Sequence, residues 1–349
     1  MMNVLFAPDY RRGLPYQGFL ARELKKLGVD VDFMSHYRRG FPLTRGASDF
    51  NCDILHIHWP EVYFSRNKRG DGLRKLRYPY DLGLATRHRK LFLTAHNLLP
   101  HNRHDEWRVS SLVKKTALMS DGVFVHSEHA QEEIVKTFGV SPEKCFIIPY
   151  GDHADGWEHP LKRPDARSQL GLDQERKLCL IFGTVSPYKG SDEVVKYWLQ
   201  NSPDAQLIIA GPVINQEYAN LLKNLAGQSP DVELRISDQW MTDEDLHKWL
   251  SAVDCTVFNY RDIFTSGAAA LARSMGVPIL IPQRLQAADL HEPHRLVHRF
   301  DSLDVDFDKH LKAALAQSPA YDDAEQWRKK TSWKEVARIT KQVYERVVQ

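Results

Sequence analysis

Apolar residues recur along the chain at two spacings. Residues 4–7 form a short apolar run. A polar turn holding Arg11, Arg12 and Gly13 separates this run from Phe19, Leu20, Leu24 and Leu27, which are spaced by three and four. That pattern predicts a strand followed by a helix. Residues 29–33 alternate apolar and polar, and 53–58 supply another strand, so the opening unit is β-α-β. Further strands are predicted at 91–95, 123–126 and 145–149, with a helix over 127–138. Ser127 is the expected cap of that helix, and Glu128, Glu132 and Glu133 lie toward the end that its dipole favours.

The rhythm breaks over 151–176, where Gly151, Gly156, Pro160 and Pro164 sit among polar residues, the composition of a linker. It restarts with the fully apolar LCLIF at 178–182, LIIA at 207–210, CTVF at 255–258 and PILI at 278–281. Such runs suit parallel strands covered on both faces. Helices are predicted over 243–252 and 267–275. Trp333, Val336, Ile339, Val343 and Val347, at helical spacing, mark 327–348 as a closing amphipathic helix. No repeat of a solenoid or propeller is present. The expected fold class is α/β, with two Rossmann-like, doubly wound domains at 1–160 and 161–325, and a helix in 326–349 that packs back toward the first.

Composition narrows the class. With 349 residues, 42% hydrophobic, 26% charged and 10% aromatic, the chain reads as a folded, soluble protein. No run reaches the roughly 18 apolar residues of a membrane span, and MMNVLFAPDY lacks the basic start of a secretory signal. Cys52, Cys145, Cys179 and Cys255 never form CxxC, so a reducing cytoplasm is expected. The net charge of +2 hides an asymmetry: residues 1–150 carry 23 basic against 16 acidic side chains, a balance of +7, and the remainder a balance of −5. The first half is expected to face something anionic. Within it, 63–90 holds nine basic and two acidic residues interleaved with Tyr63, Phe64, Tyr78 and Tyr80. This is either a solvated face or a peripheral contact with an anionic membrane, at which aromatics enter the interface.

Two segments carry candidate chemistry. FGTVSPYKGSDEVV at 182–195 sets a glycine turn after a buried strand, with Lys189 and Gly190 before a helix. Small residues there let backbone N–H groups approach phosphate, and the lysine adds a mobile charge. Neither a Walker A nor a GxGxxG pattern is present, and an ordinary loop with a solvated lysine gives the same string. In NYRDIFTSGAAALARSMGVPIL at 259–280, Ser266 and Gly267 open an alanine-rich helix whose N-terminal end suits a pyrophosphate. A plain Ser266 cap is the alternative. His56 and His58 share a strand face, but no further ligand completes a metal spacing.

Taken in order, these segments resemble the GT-B glycosyltransferases. The G-x-x-S-P-x-K-G turn, the strand ending at Ala210-Gly211, the small-residue helix ending in G-V-P and the closing SWKEVARITKQVYE follow that family's order. So do TAHN at 94–97, SDGVFVHSEHAQEEI at 120–134 and IIPYGD at 147–152. Relatives that build surface polysaccharides on lipid carriers, including exopolysaccharide mannosyltransferases, look closest. The resemblance implies two domains facing a cleft, with a nucleotide sugar, GDP-mannose first among them, bound to the second domain. It also implies a glycan or polyprenyl-diphosphate-linked acceptor on the first domain, no metal or other cofactor, and no nucleic acid. Gly183, Thr184, Lys189, Asp262, Ser266 and Gly267 match the donor-binding positions, and His96 an active-site histidine. Two positions depart from the pattern: Thr184 stands where an arginine is usual, and the paired glutamates are absent, with Asp262 the one nearby acid and Ala270 eight residues on.

An inverting reaction needs a base for the acceptor hydroxyl, and Asp9, Glu61 and His96 are the candidates. Glu61 and Asp9 each follow a strand, where open α/β sheets place ligands. In a retaining reaction His96 would orient the sugar. The expected setting is the cytoplasm, at the inner face of the membrane. A nucleotide-sugar 2-epimerase and an inactive scaffold share the fold and stay open at this point.

Overall fold

The apolar runs become two parallel six-stranded sheets. A computed structural model describes residues 2–11, 15–35, 40–64, 71–98, 106–157, 159–261, 263–285 and 295–349. In chain order the elements are β1 (Met2–Ala7), α1 (Tyr16–Lys26), β2 (Val29–Phe33), α2 (Pro42–Asp49), β3 (Ile54–Ile57), α3 (Asp71–Ala85), β4 (Lys90–Thr94), α4 (Glu106–Met119), β5 (Gly122–Val125), α5 (Glu128–Phe138), β6 (Cys145–Ile147), α6 (Arg163–Leu170), β7 (Leu178–Phe182), α7 (Ser191–Asn201), β8 (Gln206–Pro212), α8 (Gln216–Ala226), β9 (Val232–Ser237), α9 (Asp243–Ala252), β10 (Cys255–Val257), α10 (Gly267–Ser274), β11 (Ile279–Pro282), β12 (Val297–Phe300), α11 (Phe307–Ala316), α12 (Tyr321–Lys330) and α13 (Trp333–Val348).

The chain divides into two compact units, one of Met1–Gly151 with Lys330–Gln349 and one of Asp152–Lys329. The first sheet has the order β2-β1-β3-β4-β5-β6 and the second β12-β11-β10-β7-β8-β9. Each order reverses direction once, between β1 and β3 in the first sheet and between β7 and β10 in the second. The loops that leave these strands border the crevice where open parallel sheets bind ligands. Strand pairing is parallel throughout, as the continuous apolar runs require.

The closing helix α13 belongs to the first unit. Its Trp333, Val336, Ala337 and Tyr344 are buried with Leu20 and Leu24 of α1 and with Phe6, Phe92 and Phe124 of the sheet. Tyr344 reaches the sheet itself, its hydroxyl lying 2.5 Å from His56 Nδ1. The helix over 127–138 forms as α5, with Ser127 accepting from the Ala130 amide at 3.0 Å.

Three expectations are corrected. The region 151–176 is not all linker, since α6 lies within it. This helix is polar, and tertiary ion pairs hold it rather than an apolar stripe: Arg163 and Arg167 both meet the buried Asp254. The closing helix does not run from Trp327, which lies in α12 of the second unit; the helix restarts where Ser332 accepts from the Glu335 amide. Within the basic segment, Tyr63, Phe64 and Tyr78 are core residues, 4%, 0% and 1% exposed, so of its four aromatics only Tyr80 faces solvent.

Candidate functional site

In the first unit, β3, β4 and β5 each end in a buried histidine near the reversal of strand order. His56 and His58 lie on one face of β3 and its extension, His96 follows β4, and His126 follows β5. The His56 ring is stacked on His58 at 4.4 Å, His58 on His96 at 5.5 Å, and Trp59 lies flat on His96 at 4.3 Å. Both nitrogens of His56 are engaged, Nε2 by Thr94 Oγ1 at 2.7 Å and Nδ1 by Tyr344. Burial, aided by His96, depresses the His56 pKa to about 3. Burial and its two histidine neighbours hold His58 well below the usual imidazole value. Both rings are therefore neutral, and they do not converge on a metal; among the described residues no three His, Cys, Asp or Glu side chains could share one.

His58 Nδ1 lies 3.2 Å from His96 Nε2, which fixes the plane of the His96 ring. The other nitrogen of His58 is buried with no partner among the described residues. His58 lines a recess of about 20 Å³ together with Trp59, Glu61, His96 and Asn97, room for roughly one water molecule. Glu61 sits half-buried on a short 3-10 turn, Pro60–Tyr63. Burial raises its carboxyl to about 7, against a small opposing pull from its own amide. The structure thus brings Glu61 and His96 together in one recess. Asp9 lies nearby, since its neighbour Tyr10 packs on Trp59 at 4.9 Å. Both Asp9 carboxylate oxygens, however, accept from Arg11, at 3.0 and 2.9 Å, so the carboxylate is already engaged.

In the second unit, the loops leaving β7 and β10 meet at the other reversal. Lys189 is 6% exposed, and its Nζ donates to Phe182 O at 2.8 Å while lying 5.2 Å from the Tyr260 ring centre. This corrects the expectation of a mobile charge: the ammonium is held under the loop, and burial depresses its pKa to about 7. Gly183, at φ +94°, makes room for it, because a Cβ there would lie 2.8 Å from Nζ. Tyr260 then links the two predicted segments, its hydroxyl lying 2.8 Å from Ser266 Oγ. Ser266 caps α10 through the Ala269 amide at 3.1 Å, and Gly267, the first residue of that helix, is half-buried. Thr184 meets the Tyr188 hydroxyl at 3.4 Å. Asp262 lies outside the described residues.

Asn259, Tyr260 and Arg261 open the candidate segment 259–280, whose chemistry the sequence assigns to Ser266 and Gly267. Arg261 donates to Asp192 and Glu193, both at 2.9 Å, and Asn259 donates to Glu193 at 3.0 Å. Together they tie the first turn of α7 to the loop after β10 and so fix the Lys189 loop. Their only trace in the sequence is position, a polar NYR directly after an apolar strand. Beyond β9, the loop to α9 presents Trp240 at 69% exposure.

Comparison with known proteins defines the class. Over 99% of both chains the structure matches sucrose-phosphate synthase from Thermosynechococcus elongatus, with a TM-score of 0.74 and 16% identity. Over 99% of both it also matches Anabaena HepE in complex with UDP and glucose, with a TM-score of 0.68 and 14% identity. The chain has the GT-B glycosyltransferase fold, as the order of its motifs led one to expect. Within that class, residues 4–152 match the model of Glycosyltransferase Family 4. The chain is also 24% identical over 245 residues to GDP-mannose:glycolipid 4-beta-D-mannosyltransferase of Xanthomonas campestris pv. campestris, covering 66% of this chain and 61% of that protein. It therefore spans less than two thirds of that relative's length.

Proposed function

We propose that the protein is a glycosyltransferase that moves mannose from GDP-mannose to a glycolipid acceptor presented at an anionic membrane surface. The observation that carries this reading is the Lys189–Tyr260–Ser266 cluster, which sets a buried ammonium beside the N-terminal end of α10 at the strand reversal. Gly183, Thr184 and Gly267 complete the diphosphate side. Trp240 offers a ring for the base, and Asp262 is assigned to the ribose or sugar. The glycolipid and the mannose follow the name of the Xanthomonas relative, and the balance of +7 in residues 1–150 supports the anionic surface. A β-linked product from an α-linked donor requires inversion, so we assign Glu61 as base and His96 as the group that orients the sugar. No metal or other cofactor enters this reading.

The test is a thermal-shift series with GDP-, UDP- and dTDP-sugars, followed by product analysis with a polyprenyl-diphosphate-linked acceptor. Preferential stabilisation by GDP-mannose, through mass action on the native state, and a β-linked product are expected. Stabilisation by UDP-sugars alone would overturn the donor, an α-linked product the role of Glu61, and release of free sugar without transfer the acceptor.

Lys189→Ala is expected to lower kcat/KM for the donor by about 10- to 150-fold, since a charged hydrogen bond to phosphate contributes roughly 1.5–3 kcal/mol. The lysine must be protonated to hold the diphosphate. With its pKa brought down to about 7 in the empty site, donor affinity falls as pH rises above that value, and binding there takes up a proton. Lys189→Arg keeps the charge and should shift the fall to higher pH. Calorimetry in buffers of different ionisation enthalpy reads the proton directly, and uptake that is absent at pH 8 would remove Lys189 from the donor site.

A further inference from the structure

The rings of the histidine stack are held in place from both ends. His56 is engaged at both nitrogens, by Tyr344 of α13 and by Thr94, and His58 lies over it with 20° between the ring planes. Trp59 covers His96 at 11°, and Tyr16 of α1 stands edgewise to both His58 and His96, at 5.8 and 4.7 Å. Among these packed rings His58 is 1% and His96 4% exposed. Turning either ring over would put carbon where His58 Nδ1 now meets His96 Nε2 at 3.2 Å. That contact is the one hydrogen bond the His58 ring makes among the described residues, and it needs one proton between two nitrogens.

Which histidine supplies that proton follows from the other nitrogen of His58. The ring is neutral, because burial and its histidine neighbours disfavour the charged form, and a neutral imidazole carries one N–H and one lone pair. If His96 were the donor, the proton of His58 would sit on Nε2, which is buried and has no partner among the described residues. Among buried polar groups an orphaned N–H is rarer than an acceptor left short. The proton of His58 therefore sits on Nδ1 and enters the bond. His96 Nε2 accepts it, so it carries no proton of its own, and the proton of His96 sits on Nδ1. We infer that His58 is a positioning residue that sets the tautomer of His96, so that His96 meets a sugar or acceptor hydroxyl only as a donor. This deepens the proposed transferase reading and rests on it for its purpose. With Nε2 taken up by His58 and Nδ1 protonated, His96 has no lone pair left for the acceptor's proton. Asp9 is engaged by Arg11, and Glu61 remains as the base.

The full wild-type chain, with its histidine rings labelled with nitrogen-15, is measured at pH 8 by long-range proton–nitrogen correlation, and the signals lost in His58→Phe and in His96→Gln assign the two rings. Both rings should show a protonated Nδ1 and a bare Nε2. A protonated Nε2 on either ring would overturn the inference. In His58→Phe, which keeps an aromatic ring but offers no proton, His96 should become a mixture of tautomers, and kcat should fall roughly 10- to 100-fold, the scale of a misplaced catalytic group, with donor KM little changed. The amide of asparagine presents an N–H where Nδ1 stands, so His58→Asn should restore most of that loss. A His96 ring that keeps its tautomer in His58→Phe, or a folded asparagine variant that loses as much as the phenylalanine one, would also overturn the assignment. The wild-type spectrum needs no turnover, which keeps the two readings apart. The expected tautomers in a chain that transfers no sugar would leave the role of His58 standing and remove the transferase reading, whereas transfer with Nε2 of His96 protonated would do the reverse.

Discussion

Replacing Glu61 by glutamine is expected to lower kcat/KM for transfer by roughly 10²- to 10⁴-fold, the range lost with a positioned general base. The carboxyl suits the proposed task because burial has brought its pKa up to about 7, where a base still accepts a proton readily and is already half ionised. The wild-type rate should therefore rise with pH through about 7 and fall again as Lys189 loses its proton, giving a narrow bell. In the glutamine variant the rising limb should vanish while the falling limb stays. Stability separates this loss from misfolding. A carboxyl whose folded pKa is raised binds a proton more tightly in the native state, so between about 4.5 and about 7 its contribution to stability declines as pH rises. Glutamine carries no such penalty, and the variant should melt no lower than the wild type at pH 8. A glutamine variant that keeps the rate, or keeps the rising limb at a reduced rate, would move the base elsewhere. Asp9→Asn, which disturbs a carboxylate already engaged by Arg11, should have a much smaller effect.

The largest effect on stability is expected at Asp254. Its side chain is 1% exposed and meets Arg163 at 2.8 Å, Arg167 at 2.9 Å and Lys177 at 3.3 Å, while accepting from the Leu178 amide at 2.9 Å. Arg167 is itself buried, and burial, with Arg163 beside it, lowers its pKa against the opposing pull of Asp254. Asp254→Ala leaves that guanidinium in the interior without its carboxylate, a change that costs about 3–5 kcal/mol. For a unit of this size the melting transition should fall by roughly 6–20 °C. The double variant Arg167→Met with Asp254→Ala removes the stranded charge and should recover part of the loss, which a double-mutant cycle measures. A loss below about 1 kcal/mol for Asp254→Ala alone would show that water reaches the pair.

How much of this was legible in the sequence depended on whether the signal was local. LCLIF and LIIA read as parallel strands because both faces are covered and no polar alternation interrupts them. The buried Lys189 loop was legible as a candidate because small residues and a lysine follow a strand directly. Helix α6 was not, since eight mostly polar residues form no apolar stripe and what holds them is Asp254, 87 residues from Arg167. The histidine stack was half visible: period two placed His56 and His58 on one face, but their partners Thr94 and His96 are each 38 residues away, brought alongside by the parallel register of β3 and β4. The exposure of Leu73, Leu76, Tyr80 and Leu84 on α3 was hidden by the charges that dominate the composition of that segment.

The return of α13 to the first unit has a consequence for biosynthesis. A chain leaving the ribosome completes all six strands of the first sheet long before Trp333, Val336 and Tyr344 exist, so His56 lacks its tyrosine partner and the α1 side of the sheet lacks its cover. The second unit, continuous in sequence from Asp152 to Lys329, meets no such delay. The part of the molecule made first is thus finished last, and until the final helix docks, it exposes an apolar face to whatever holds nascent chains in solution.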